Sequence, residues 1–364
     1  MHDQLVKGQG TAAAPDPDKL NAFIGRAVSD MGAAMSAALV ITGDKLGLYT
    51  ALHERGPMTA GQLAECTGTH ERYVREWLSA QAAGEYVTYD PAAKTFALTP
   101  EQAFLLADET SPLYLLGAFQ IIQAMMADEP HVTERFVSGQ GFGWHEHDER
   151  LFVGTERFFR PGYNAHLVAE WIPALEGVEA KLKEGAKVAD VGCGLGASTI
   201  LMAKAYPNST FVGFDYHAHS IDLARKRAEA AGIGDRVRFE VASAQGFGGG
   251  GYDLIACFDC LHDMGDPVGA AKHIGEALAP GGTWLLVEPY ANDKLEENLN
   301  PVGRVFYSAS TMLCTPAALS QDPGFALGAQ AGVARLRDVM TQAGLNHFRR
   351  AAETPFNLVL EVRR

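Results

Sequence analysis

The sequence predicts an α/β fold: a parallel, doubly wound sheet in its second half, preceded by a smaller, mostly helical domain. Three observations predict it. From Lys187 onward, short apolar runs alternate with helical patterns, as repeated β-α units do. The first run, Lys187-Val188-Ala189-Asp190-Val191, opens onto the glycine-rich turn Gly192-Cys193-Gly194-Leu195-Gly196. Before it, apolar residues recur at helical spacing, with one short pair of strand-like runs near residue 90.

Composition bounds the function. At 364 residues, two or three domains are expected, and 47% apolar with 20% charged residues is ordinary for a soluble globular chain. Thirty basic against 44 acidic residues give a net charge of −14, so neither nucleic acid nor an anionic membrane is an expected partner. The first 18 residues lack the basic-then-apolar pattern of a signal peptide, and no uninterrupted apolar run approaches about 18 residues. A cytoplasmic location is the expectation. The five cysteines, Cys66, Cys193, Cys257, Cys260 and Cys314, are odd in number and scattered, which suggests reduced thiols. Cys257 and Cys260 have C-x-x-C spacing without a second pair, and no metal is expected.

Residues 1–19, rich in Gly, Ala and Pro, read as a flexible tail. Alanine- and methionine-rich helices follow over 21–41 and 44–52, apolar enough to pack against a second copy of the chain. Thr59 caps a helix over 60–66, a turn spans 67–69, and a second helix covers 71–83. Runs 85–89 and 94–98 form a hairpin around Asp90-Pro91. Helix-turn-helix plus hairpin is a winged-helix plan. Its net charge over 21–100 is 6 − 8 = −2, so dimerisation is a better role for it than DNA binding. Residues 101–180 read as an interrupted helical linker or cap. Within it, His145-Glu146-His147-Asp148 has too few ligands for a metal and reads as an exposed polar loop.

In the second half, strands are expected over 187–190, 210–215, 237–241, 253–257 and 283–287, with helices over 197–205, 220–231 and 268–278. Ser220 is the expected cap of the second of these helices. Pro280-Gly281-Gly282 reads as a turn. After a long excursion over 288–328, a helix over 333–343 leads to a terminal hairpin, 347–352 with 356–362, which adds an antiparallel edge. Ligands bind outside the carboxyl ends of such strands, where Asp190 and Asp215 stand. Asp215, 19 residues beyond Gly196, can accept both hydroxyls of a ribose. NAD and S-adenosylmethionine both present one, and Gly192, Gly194 and Ala197 also satisfy G-x-G-x-x-A, so an NAD(P) oxidoreductase stays open at this point.

The ordered set Asp190-Val-Gly192-Cys-Gly194-Leu-Gly196, Asp215, and 278–288 with its Pro280-Gly281-Gly282 resembles class I S-adenosylmethionine-dependent methyltransferases. With its front half, the chain is similar to bacterial winged-helix methyltransferases, relatives of the small-molecule O-methyltransferases. The resemblance implies a Rossmann-like, seven-stranded methyltransferase domain over 181–364, after a winged-helix-like dimerisation domain over 20–100. It implies S-adenosylmethionine as cofactor and a small-molecule acceptor. Asp190 and Gly192, Gly194 and Gly196 would approach the methionine moiety, Asp215 would hold the ribose, and Tyr216 would flank the adenine. Where relatives often carry an acid for the adenine amino group, this chain has Ser243 and Ala244. Phe258 and Asp259 would face the methionine end. Cys260-Leu261-His262-Asp263 resembles the stretch that supplies a general-base histidine, so the resemblance makes His262 the base, with Asp263 or Asp266 fixing its tautomer. O-methylation is favoured on that account. Alternatives are C-methylation of an α-keto acid with a His-Asp-bound metal, and a nucleoside-responsive DNA-binding regulator. Phe158, Tyr163, His166, Tyr290, Phe306, Met312 and Gln321 are the candidate acceptor contacts.

Overall fold

The computed structural model describes residues 14–364, so most of the expected tail lies outside the described residues. The chain divides into two compact units, one ending at Ala103 and one spanning Phe104–Arg364. The segment expected as a linker therefore belongs, from Phe104 on, to the sheet-bearing unit.

In the first unit, helix α1 (Pro17–Lys45) starts earlier than the tail reading implied. Asp16 caps it by accepting from the Asp18 and Lys19 amides, and Pro17 sits where a helix needs no N–H. Then come α2 (Leu48–Arg55), α3 (Ala60–Thr67) and α4 (Glu71–Ala83). Thr59 and Gln62 close a reciprocal capping box on α3. Gly43 allows α1 to reach α4, because a Cβ there would stand 2.3 Å from the Trp77 ring. Trp77 Nε1 then donates to the Leu39 carbonyl at 2.8 Å. The wing is only β1 (Thr88–Asp90) and β2 (Thr95–Ala97), shorter than the expected hairpin. On α4, Arg72 pairs with Glu76 and Arg75 with Glu71, one turn apart. α1 buries only Ala37, Val40, Ile41 and Gly43, and leaves Phe23, Ile24, Val28, Met31 and Met35 exposed. By length and mean hydropathy alone it could cross a membrane, although Arg26 and Asp30 interrupt it.

The second unit continues from α5 (Pro100–Leu106), which crosses the boundary, to α6 (Leu116–Ser138) and α7 (Arg150–Gly162). α6 and α7 pack closely through Gly117 and Gly154. A Cβ on Gly117 would lie 2.4 Å from the Phe158 amide nitrogen. α7 runs on as a π-helical segment, Tyr163–Trp171, and α8 (Val178–Glu184) precedes the sheet.

The sheet elements are β3 (Lys187–Val191), α9 (Ala197–Ala205), β4 (Thr210–Asp215), α10 (Ala218–Ala230), β5 (Val237–Val241), β6 (Tyr252–Phe258), α11 (Pro267–Ala277) and β7 (Leu278–Pro289). After α12 (Pro301–Ala309), α13 (Thr315–Leu319) and α14 (Gly332–Gln342), the hairpin β8 (His347–Glu353) and β9 (Asn357–Arg363) closes the chain. The order is β5-β4-β3-β6-β7-β9-β8, in which β9 runs antiparallel to both its neighbours and the other six strands share one direction. This is the expected seven-stranded Rossmann-like sheet. Leu254, Ala256, Leu285 and Val287 join one core, whereas Ile255, Cys257, Trp284 and Leu286 join the other. Alternate residues thus serve opposite faces, and both faces are apolar because both are covered.

Two local expectations fail. Pro280-Gly281-Gly282 is not a turn between elements but an irregular stretch inside β7. Gly281 is left-handed (φ +72°), and Gly282 runs so close to the Tyr252 carbonyl that a Cβ would meet it at 2.6 Å. Ser220 does not cap α10. His217 occupies that position, and its Nδ1 lies 2.8 Å from the Ser220 hydroxyl inside the helix.

Candidate active site

The chain reverses direction across the sheet at β3, which has β4 on one side and β6 on the other, so the crevice outside their carboxyl ends is a ready binding site. A cavity of about 210 Å³ lies there. Gly192 and Gly194, both left-handed (φ +77° and +51°), form its floor. A Cβ on Gly192 would strike the Cys260 sulfur at 2.7 Å, whereas one on Gly194 would enter open space. Gly196 faces away from the cavity, against the Phe239 ring. Asp215 joins the end of β4 to this turn: Oδ2 accepts from the Gly194 amide at 3.0 Å and Oδ1 from the His217 amide at 2.8 Å. Tyr216, Ser243, Ala244, Phe258 and Asp259 also line the cavity.

Asp190 does not. It is fully buried beneath the turn, its Oδ2 accepting from Ser198 and Thr199 hydroxyls at 2.6 Å each, and its Oδ1 has no partner. Its role is to pin the first turn of α9 under the glycines. Burial pushes its carboxyl up to about 6, against the two hydroxyl bonds. A carboxyl raised in the folded state binds its proton more readily there, so its contribution to stability falls as pH rises from about 4 through 6. Asp190→Asn is therefore expected to raise stability at pH 7.5 by about 1–2 kcal/mol and to flatten that acid-side slope. Urea unfolding at pH 4.5 and 7.5 measures both, and a variant less stable at both pH values would contradict this account.

At the other end of the cavity the expected pair divides. Asp263 lines the wall, but His262 is buried behind it. His262 Nδ1 lies 2.6 Å from Glu288 Oε2, and its Nε2 is 3.2 Å from Asp263 Oδ1. Burial alone would lower this imidazole, but the Asp263 and Glu288 carboxylates outweigh burial and hold it well above the ordinary histidine value. The structure therefore places His262 behind the cavity wall, held between two carboxylates, and Asp263 on the wall itself. Glu288, at the end of β7, was missed as the partner of His262, and it also accepts from the Leu261 amide at 3.0 Å. Asp266 instead caps α11 through the Gly269 amide. Cys314 brings its sulfur within 4.8 Å of ligand atoms on His262 and Asp263. That supplies a third metal-type donor the sequence did not reveal, yet both nitrogens of His262 already face carboxylates, and the trio is not read as a metal centre.

Of the acceptor candidates, Tyr163 and Gln321 line the cavity. Phe158 does not, because α7 presents Phe152, Thr155, Glu156 and Phe159, continuing to Tyr163, at helical spacing, and Phe158 falls off that stripe. His166 is drawn to Glu170 (3.0 Å) and stacks on Trp171. Tyr290 packs against one core of the sheet, and Phe306 and Met312 belong to a separate cluster with Ala124 and Leu151. None of these four lines the cavity. Trp144 completes the wall from the loop after α6.

The comparisons with known proteins agree with this geometry. A family described as "Methyltransferase domain" matches residues 182–327, and one described as "Rv2258c-like winged HTH domain" matches residues 33–108. The chain carries a methyltransferase domain. In this domain, the ubiquinone biosynthesis O-methyltransferase of Psychrobacter arcticus is 30% identical over 113 residues, 30% of this chain and 43% of that protein. Among solved structures, the mitomycin 7-O-methyltransferase MmcR superposes with TM-score 0.68 at 19% identity, covering 95% of this chain and 99% of that one. Human N-acetylserotonin methyltransferase, solved with S-adenosylmethionine, gives TM-score 0.68 at 14% identity, over 96% and 99% of the two chains. These structures share the fold of this chain. Its first curated relatives are matched over only 24%, 32% and 46% of their own lengths.

S-adenosylmethionine is the cofactor that suits this cradle. Gly194 leaves open space where a side chain would stand, Asp215 waits at the strand end, and Asp259 Oδ2 is buried without a partner. Asp215, Asp259 and Asp263 together favour a ligand that carries positive charge.

Proposed function

We propose that this protein is an S-adenosylmethionine-dependent methyltransferase that methylates an oxygen of a small-molecule acceptor. One observation carries the reading: the cavity runs from the glycine turn and Asp215 to Asp263, and aromatic rings form much of its wall. When bound, the cofactor supplies a methyl group on a sulfonium, already a good leaving group, so the protein has only to align an acceptor and take its proton. Asp215 holds the ribose hydroxyls, Tyr216, Ser243 and Ala244 flank the adenine, and Phe258 and Asp259 face the methionine end. Trp144, Phe159 and Tyr163 offer the acceptor aromatic surface, and Gln321 a polar edge. Asp263 meets its hydroxyl. Burial pushes this carboxyl up, against the neighbouring His262 cation, which makes it a better proton acceptor than a surface aspartate.

Among the described residues, the cavity lining contains four carboxylates, of Glu156, Asp215, Asp259 and Asp263, and no lysine, arginine or histidine. An α-keto acid would bury its own carboxylate there with no protein cation beside it, which disfavours the C-methylation reading. The winged-helix unit serves dimerisation rather than DNA binding, because the arginines of α4 are paired and α1 exposes an apolar face suited to a second copy. Calorimetry tests the activity class: micromolar binding of S-adenosylhomocysteine and none of NADH is expected, and the reverse result would discard the reading. Light scattering on the same sample is expected to give twice the mass of one chain; a monomer would remove the dimer assignment.

A further inference from the structure

Of the four carboxylates on the cavity wall, that of Glu156 has no task in the reading above. Glu156 stands in the middle of α7, on the stripe that also presents Phe152 and Phe159 to the cavity, and its side chain is only 9% exposed. Two arginines approach it. Arg227 of α10 brings Nη1 to 3.2 Å from Oε1, and Arg160, one turn further along α7, brings Nη1 to 3.6 Å from the same oxygen. Neither arginine lines the cavity, and the side chain of each is 39% exposed. Arg227 Nη1 also reaches the Leu195 carbonyl, at 3.4 Å. Glu156 and Arg227 thus tie α7 to the glycine turn, with the carboxylate on the cavity side and the cations toward solvent. Both closest approaches fall on Oε1, so the arginines leave Oε2 for a donor within the cavity.

The chemistry of that donor follows from what the other acids already hold. The methionine moiety of S-adenosylmethionine carries an ammonium group, which needs a charged acceptor when it leaves water. Asp190 is sealed beneath the turn, with its Oδ2 on the Ser198 and Thr199 hydroxyls. Asp215 spends its oxygens on the Gly194 and His217 amides, at the ribose position. Asp259 Oδ1 accepts from Asn357 Nδ2 at 2.9 Å, and its Oδ2 is buried. Asp263 faces His262 at the acceptor end. Glu156 is left, and its partner Arg227 ends on Leu195, inside the turn that approaches the methionine moiety.

We propose that Glu156 binds the ammonium group of S-adenosylmethionine, and that Arg227 is the positioning residue that holds Glu156 over the glycine turn. This rests on the cavity being the cofactor site of a methyltransferase. The arginines stay solvated and screened, whereas the carboxylate meets its ligand in a water-poor cavity, where a charged hydrogen bond is strongest. α7 also carries Phe159 and runs on to Tyr163, so the same contact fixes the helix that forms the aromatic wall for the acceptor.

Calorimetry on the full-length protein with three ligands tests this without knowledge of the acceptor. S-adenosylhomocysteine has both the ammonium and the carboxylate, its decarboxylated analogue keeps only the ammonium, and 5′-methylthioadenosine has neither. Glu156→Gln is expected to weaken the first two about tenfold or more and to leave the third within about twofold. Arg227→Gln, a change at a half-exposed side chain, is expected to show the same selectivity with a smaller loss, and it carries the test if Glu156→Gln does not fold. Equal weakening of all three ligands would make Glu156 part of the scaffold and overturn the proposal. So would unchanged binding of S-adenosylhomocysteine, or a loss that spares the decarboxylated analogue and so follows the carboxylate. An Arg227→Gln protein that binds all three as wild type does would remove the positioning role. Failure of the wild type to bind S-adenosylhomocysteine would instead overturn the methyltransferase reading on which the proposal stands.

Discussion

Replacing Asp215 by alanine is expected to weaken S-adenosylhomocysteine binding roughly tenfold to a hundredfold, equivalent to about 1–3 kcal/mol. Two losses combine. The carboxylate no longer meets the ribose hydroxyls, and the Gly194 amide loses the acceptor that holds the turn in place. Gly194 is left-handed and nothing packs against the position of its missing Cβ, so the Asp215 contact is a main restraint on this part of the turn. Asp215→Asn separates the effects, since its amide oxygen can still accept from Gly194 while the charge is gone. It is expected to fall between wild type and alanine. Calorimetry measures both, and an unchanged dissociation constant in Asp215→Ala would remove the residue from the ribose role.

The sheet was legible in the sequence because its signals are local. Apolar runs, helix starts and glycine breaks each reflect backbone needs within a few residues, and β3, β5 and α9 fall within a residue of expectation. Even so, a local bond could mislead. Ser220 looked like a cap, but a serine inside α10 also satisfies its hydroxyl, here through His217. The cofactor side was readable for the same reason, since Gly192, Gly194 and Asp215 sit on consecutive strand ends. Asp190 was misplaced because strand-end position does not say whether a carboxylate points up into the crevice or down toward Ser198 and Thr199. The acceptor side depends on contacts between distant segments. Glu288 lies 26 residues from His262, and no spacing rule joins the pair. One signal was available and overlooked: 152, 155, 156, 159 and 163 recur at helical spacing, which picks Phe159 over Phe158 as a cavity residue.

His262→Ala tests the buried cluster, and a large loss of stability is expected. Removing the imidazolium leaves Glu288 and Asp263 without the cation between them, and Asp259, half-buried on the cavity wall, is a further acid close enough to act on both. Breaking a buried pair in this way costs about 3–5 kcal/mol, which is a large part of a domain's whole stability. The pH dependence follows from the same charges. His262 has its folded value raised above the ordinary 6.5, so its contribution is complete below that pH and is lost as pH rises through the folded value. Wild type is therefore expected to lose stability from near neutrality into the alkaline range, and His262→Ala to lose less over that range from its lower start. Glu288→Gln keeps an oxygen that can accept from Nδ1 while removing one charge, so a smaller loss is expected and the imidazole should titrate lower. Urea unfolding of the three proteins between pH 6 and 9 distinguishes these outcomes. If His262→Ala were as stable as wild type at pH 6, the buried cluster would not depend on the histidine cation.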